Sequence, residues 1–349
     1  MTKRVGDGRQ YGARGIGVAR RALACAALLG VTVGCATTVT TTAATRPPLA
    51  PPDPRGEPLA LFPPGAVSWG RFDLATARRS PHFDRALETA QSAGVQVGEV
   101  QRALGFDALR TSDMVAYALY MPPGSGQVRG GWPVVMARGG FTRDAVLAAA
   151  RQGGEAVEEG RESGVAYTAV GQRVLMFPAE GVVLVLPRSL LRREAERLAG
   201  AERRSVLDDD RFSALWERVG GVDGTLRVAV DLAAIRARAQ ADLRGAPPAA
   251  GHLDALVAKA DLPADVTVQA AGLASDEAAA AATVRGVRAM VAEVRGAIVT
   301  LLGLGRLMRE GIVASSEGRY VSLTVRANEG EARRAMRIVT MLREDAAAE

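Results

Sequence analysis

The chain has 349 residues, of which 48% are hydrophobic, and a formal net charge of +6. This length and apolar content suit one large or two smaller globular domains and exclude a disordered chain. The charge invites a nucleic-acid reading, but residues 1–34 hold Lys3, Arg4, Arg9, Arg14, Arg20 and Arg21 against Asp7 alone, so the remainder carries 38 basic and 37 acidic residues and no general electrostatic case for nucleic acid survives. Lys3 and Lys259 are the two lysines; with the abundance of Ala and Gly, this arginine bias reads as high-GC coding.

Arg20 and Arg21 precede thirteen uncharged residues, Ala22 to Gly34, the pattern of a basic n-region followed by an apolar h-region. As a helix the run would span about 20 Å, short of the ~30 Å hydrocarbon core, which predicts a cleavable signal and not a membrane span. Its end, Thr32-Val33-Gly34-Cys35, resembles the bacterial lipobox. That resemblance implies cleavage before Cys35 and lipidation of its thiol, and Ala36 after the cysteine implies the outer membrane. Val18 offers an alternative start if translation begins at GTG, and Arg20-Arg21 weakly resembles a twin-arginine export signal. Cys25 sits inside the apolar run, so Cys35 would be the sole cysteine after cleavage, which excludes disulfides and thiolate metal sites. Residues 36–57, with six threonines and then repeated prolines, predict an extended tether reaching roughly 65 Å.

The body begins near Pro58. "AVSWGRFDL" (66–74) predicts a strand running into a helix capped by Asp73 or Thr76, and Ser80-Pro81 predicts a second helix start. Strands are predicted at 114–121 and 132–139, separated by the glycine-rich residues 122–131, with a helix over 142–152. Three short β runs, "YTAV", "RVLMF" and "VVLVL", follow with hairpin-like dividers, and "RSLLRREAERLAG" predicts a closing helix.

The second half replays this order. "TLRVAVDLAAIRARA" (225–239) matches "VSWGRFDLATARR", "DVTVQAAGLASDEAAAAATV" matches "WPVVMARGGFTRDAVLAAA", and a hairpin followed by a helix ends both halves. The expectation is an α+β fold of two similar units by internal duplication, 58–204 and 205–349, built on mainly antiparallel sheet with packed helices. Val284, Val287, Val291, Val294, Ile298 and Leu301 recur at helical steps and predict one long helix over 276–309 packed on the second sheet. This order of elements, with "SVLDDDRFSALW" between the halves, resembles duplicated α+β cell-envelope families of unknown function, which have no established activity to transfer.

The chemistry-bearing residues are few. His82 and His252 stand in no metal-ligand spacing. Ser80, His82 and Asp84 lie too close on one turn to aim a nucleophile at its base, so Ser80 is expected to cap. Asp208, Asp209 and Asp210 are followed at once by Arg211 and Phe212, which fits helix capping better than a calcium loop. "GSGQVRGG" lacks the Gly-Lys-Ser/Thr ending of a phosphate loop. Arg188, Arg192, Arg193, Arg197, Arg203 and Arg204 alternate with Glu194, Glu196 and Glu202, the pattern of a solvated helix face.

Taken together, the sequence predicts a lipid-anchored envelope protein at the outer membrane, held through Cys35, with a non-enzymatic binding or structural role. Its partners would be the membrane, through the anchor, and an envelope protein or ligand, with no nucleic acid, cofactor, metal or catalytic residue. A carrier of a hydrophobic ligand is the alternative, to be marked by an apolar cavity under the long helix. A hydrolase using carboxylates, to be marked by converging acids in a cleft, stands third.

Overall fold

The structure is a computed structural model that describes residue 53 and residues 56–84, 108–121, 131–200, 204–239, 251–262, 265–294 and 303–335. Its strands are β1 (Ser68–Asp73), β2 (Ser112–Tyr120), β3 (Trp132–Gly139), β4 (Val157–Glu162), β5 (Val165–Val170), β6 (Arg173–Ala179), β7 (Val182–Pro187), β8 (Leu226–Val230), β9 (Leu253–Asp261), β10 (Val266–Ala274), β11 (Ile312–Glu317) and β12 (Tyr320–Ala327). They form one sheet of order β11-β12-β10-β9-β8-β1-β2-β3-β7-β6-β5-β4. Every pairing is antiparallel. The α+β expectation holds, and so does the mainly antiparallel sheet.

The sheet is continuous across the halves of the sequence, with β8–β12 on one side of the β1–β8 pairing and β1–β7 on the other. β1 is hydrogen-bonded to β2 on one side and to β8 on the other, with Trp69 opposite both Ala118 and Ala229. One buried cluster accordingly draws Trp69, Ala116, Met136 and Leu184 from the first half and Phe212, Trp216, Ala229 and Val257 from the second.

Side-chain alternation along strands sets the two faces. The face bearing Trp69 is covered by the 3₁₀ turn Pro58–Leu61 and by helices α4 (Leu191–Leu198) and α5 (Asp210–Arg218). The opposite face carries α1 (Leu74–Ala77) and α3 (Arg143–Gln152) in separate apolar clusters, and α6 (Leu232–Ala239) and α7 (Glu277–Val294) in a shared one. The short α2 (Ala108–Thr111) leads into β2. β7 reads as an unbroken apolar run because Val182, Leu184 and Leu186 fill one face while Val183 and Val185 fill the other.

Helix starts follow the expected capping chemistry. Asp73 accepts from the Thr76 N–H at 2.9 Å and Thr142 from the Ala145 N–H at 3.3 Å. The single helix predicted over 276–309 is corrected: α7 is described as far as Val294, Gly303 has a φ of 73°, and a separate π-helical segment spans Leu307–Gly311. A backbone in the left-handed region interrupts a helix that the apolar period, blind to backbone conformation, carries straight through. Residues 295–302 of that expectation lie outside the described residues.

At the centre of the sheet Gly70 lies under the Tyr117 ring, opposite it in register. A Cβ there would sit 2.6 Å from the Arg227 carbonyl oxygen and 2.8 Å from Tyr117 Cε1. The Tyr117 hydroxyl meets Ser68 Oγ at 3.3 Å, and burial pushes its pKa up. Gly70→Ala is therefore expected to destabilise the fold by about 2 kcal/mol, read as a lower urea midpoint at unchanged slope. An unchanged midpoint would mean that β1 and β8 part there without strain.

Candidate functional site

Arg71 of β1, Arg227 of β8 and Lys259 of β9 occupy one register row, since Arg227 lies directly opposite both Arg71 and Lys259. Directly opposed residues share a face at strand spacings of about 4.8 Å, so the three stems stand side by side on the Trp69 face. The Arg227 side chain is 2% exposed and that of Arg71 17%; Lys259 is buried too. Like charges placed this way repel, and the row needs a counter-charge.

Glu57, immediately before the 3₁₀ turn, supplies it. Its Oε2 accepts from Arg71 Nη1 at 3.1 Å and also from Arg227 Nη2, while its Oε1 accepts from the Leu59 N–H at 3.1 Å and caps the turn. A glycine-rich loop presents carbonyls from the other side: Arg227 Nη1 donates to Val222 at 3.0 Å and Lys259 Nζ to Gly220 at 3.4 Å. Gly220 and Gly221 have φ of 76° and 92°, a path that favours glycine. Arg138 Nη1 donates to the Gly56 carbonyl at 3.2 Å, holding the residue before Glu57. The Nε atoms of Arg71 and Arg227 are buried with no hydrogen-bond partner among the described residues.

Burial lowers the Arg227 pKa; the charges of Glu57 and Asp223 oppose that fall and the charge of Arg71 adds to it. Guanidinium remains protonated throughout the accessible pH range and donates without accepting. The row is thus suited to holding an anion by charge and by N–H donation.

The candidate residues read from the sequence are distributed elsewhere. Cys35 and most of the glycine-rich 122–131 loop lie outside the described residues. Ser80 Oγ accepts from the His82 N–H at 3.2 Å, while most of the helix expected to start at Ser80 lies outside the described residues. His82 is buried and His252 is exposed at the start of β9. Among the described residues no cluster of His, Cys, Asp and Glu could hold a metal ion. The three aspartates flank two helix starts: Asp208 completes a capping box with Ser205, and Asp209 caps α5 by accepting from the Arg211 N–H at 3.0 Å.

The solvated face expected of α4 is corrected. Glu194 and Arg197 are both fully buried, because Arg197 reaches under the 3₁₀ turn, donating to the carbonyls of Ala60, Leu61 and Arg204. Arg192 and Glu196, by contrast, form the exposed i, i+4 pair that the pattern implies, at 2.8 Å.

The central row escaped sequence reading, though two signals were present. Arg227 falls among alternating residues whose other members are Leu226, Val228, Ala229 and Val230, and Lys259 is the only lysine after Lys3. Away from the row, a recess of about 310 Å³ lies between Phe141, Arg143, Phe177 and Gly181. There the Arg143 guanidinium covers the Phe177 ring at 5.8 Å and already pairs with Glu159 at 2.7 Å.

No family model matches the chain, and no curated protein matches it. Among solved structures, TP0453 in its crystal form III is similar at 13% identity with a TM-score of 0.46, over 82% of this chain and 99% of that one. Form IV gives 13% and 0.45 over 82% and 96%, and form I gives 12% and 0.42 over 81% and 97%. At these scores the likeness carries no functional argument.

Proposed function

We propose that the chain is a lipid-anchored cell-envelope protein, held at the outer membrane through Cys35, whose α+β body has a non-enzymatic binding or structural role. One observation supports binding: three cations stand in register on a buried sheet face, and the single carboxylate of Glu57 serves two of them, Arg71 and Arg227, chemistry suited to holding an anion. The anchoring rests on the Arg-Arg, apolar and Thr-Val-Gly-Cys sequence of residues 20–35. We also infer two related units. Reading outward from the central pair, β1-β2-β3-β7-β6 and β8-β9-β10-β12-β11 follow the same order, with β4 and β5 as an added hairpin on one side.

The carrier reading draws less support. Ala280 and Val284 of α7 are buried in one cluster with Leu253, Ala274, Ala314 and Val321, so this part of the helix meets the sheet directly.

Replacing Cys35 with Ser tests the anchor. Loss of radiolabelled palmitate incorporation, and a shift of the chain from the membrane to the soluble fraction, is the expected result, since each buried acyl CH₂ contributes about 0.8 kcal/mol to membrane retention. Unchanged labelling and fractionation would sink it.

A further inference from the structure

We propose that the row of Arg71, Arg227 and Lys259 is a binding site for a phosphate group, in which Glu57 is the chain's own resident anion. The argument begins with acceptors. A guanidinium presents Nε–H and one Nη–H as a parallel pair that a carboxylate or phosphate meets with two oxygens. Glu57 cannot do this for either arginine: its Oε1 accepts from the Leu59 N–H, and its Oε2 is divided between Arg71 and Arg227. The two Nε–H groups that remain are buried without a partner among the described residues. A phosphate group brings at least three acceptor oxygens to the same place.

Charge points the same way. The row holds three cations, one of them almost wholly buried, against one directly bonded carboxylate. Two further acids stand near and leave the row's donors untouched. Asp223 lies on the covering loop and acts on Arg227 through its charge alone, and Asp261 lies two residues along β9 from Lys259. A phosphate near −2 matches the surplus better than a second carboxylate would. Lys259 adds a compact ammonium, a point charge suited to phosphate, in a body whose other cations apart from histidine are all arginine. Among the described residues its one hydrogen bond, to a carbonyl at 3.4 Å, leaves two N–H donors.

Access runs through Glu57. At 32% exposure it is the most exposed of the row's charged side chains, and it lies on the segment that leads into the body from residue 56. An entering phosphate displaces its carboxylate and inherits both guanidiniums.

The site rests on the binding reading above, and its test is independent of the anchor. The full mature chain, extracted in a neutral detergent, is titrated by calorimetry at constant ionic strength with inorganic phosphate and with glycerol 3-phosphate; the tighter of the two assigns the source as free ion or esterified headgroup. Glu57→Gln removes the competing charge and is expected to lower the phosphate Kd at least about tenfold relative to the unmodified chain, and adding Lys259→Met is expected to reverse most of that gain. Should Glu57→Gln fail to fold, phosphate is expected to slow reductive methylation of Lys259 in the unmodified chain, followed by mass spectrometry. Equal Kd with and without Glu57→Gln, no effect of Lys259→Met, or in the second case no protection of Lys259, overturns the proposal. A silent titration alongside Cys35-dependent membrane retention would sink the phosphate site alone.

Discussion

Arg197→Met is expected to lower the unfolding free energy by about 3–5 kcal/mol, because it removes a fully buried cation from three carbonyl acceptors at once. Arg197 Nε donates to Leu61 at 3.0 Å, and its two Nη groups donate to Ala60 and Arg204. Methionine matches the stem but takes the donor from all three carbonyls, of which that of Leu61 is bonded in the interior. Glu194, one turn earlier on α4 and equally buried, loses the cation on its own helix face. The loss should also be local in kind. The Pro58–Leu61 turn keeps Leu59, Leu61 and Phe62 buried over the sheet, so its release exposes them and opens the segment to proteolysis before the sheet unfolds. Urea unfolding together with limited proteolysis checks both parts. A variant that unfolds within about 1 kcal/mol of the parent and resists cleavage equally would show that the clamp is incidental, since a buried charge-bearing hydrogen bond alone contributes more.

A loss of about 3–5 kcal/mol is likewise expected for Phe212→Ala, from lost transfer energy and the cavity left behind. Phe212 on α5 meets Trp69 on β1 edge to face, with ring centroids 4.3 Å apart and planes at 67°. Beyond the area buried, such a pair contributes about 0.5–1.5 kcal/mol, which a double-mutant cycle with Trp69→Leu should recover as a coupling term. The two rings come from different halves of the sequence, so the cycle measures part of what joins the halves. Additive losses would mean that each ring packs against its own half alone.

Those halves were readable as elements but not as one body. Alternation and short apolar runs gave β3 at its observed bounds and placed β2, β5, β6, β7 and β10, and capping residues placed the starts of α1 and α5. β4 carried no apolar signal because its sequence, VEEGRE, lies at a charged sheet edge, where acidic side chains discourage further strand pairing. β9 was missed because its Ala255, Ala258 and Ala260, together with Lys259, thin an alternating pattern. The β1–β8 pairing joins residues more than 150 positions apart, and no local propensity specifies such a contact. Arg197 was misread for a related reason: charge alternation describes a helix in isolation, whereas the carbonyls that draw Arg197 inward come from a turn some 136 residues earlier. The central row is the same lesson in a strand. Arg71 and Arg227 are neighbours only because the two halves share a sheet, so their charge density exists in the fold and nowhere in the linear order.

The attachment point of Glu57 has a mechanical consequence. Its carboxylate grips β1 and β8 together, at the middle of a sheet twelve strands wide. A pull on the chain preceding it is therefore divided between strands belonging to both halves. Load applied at β4 or β11 would instead open a border ladder one hydrogen bond after another. Entering at the middle, the chain delivers tension where the molecule has most neighbours to resist it.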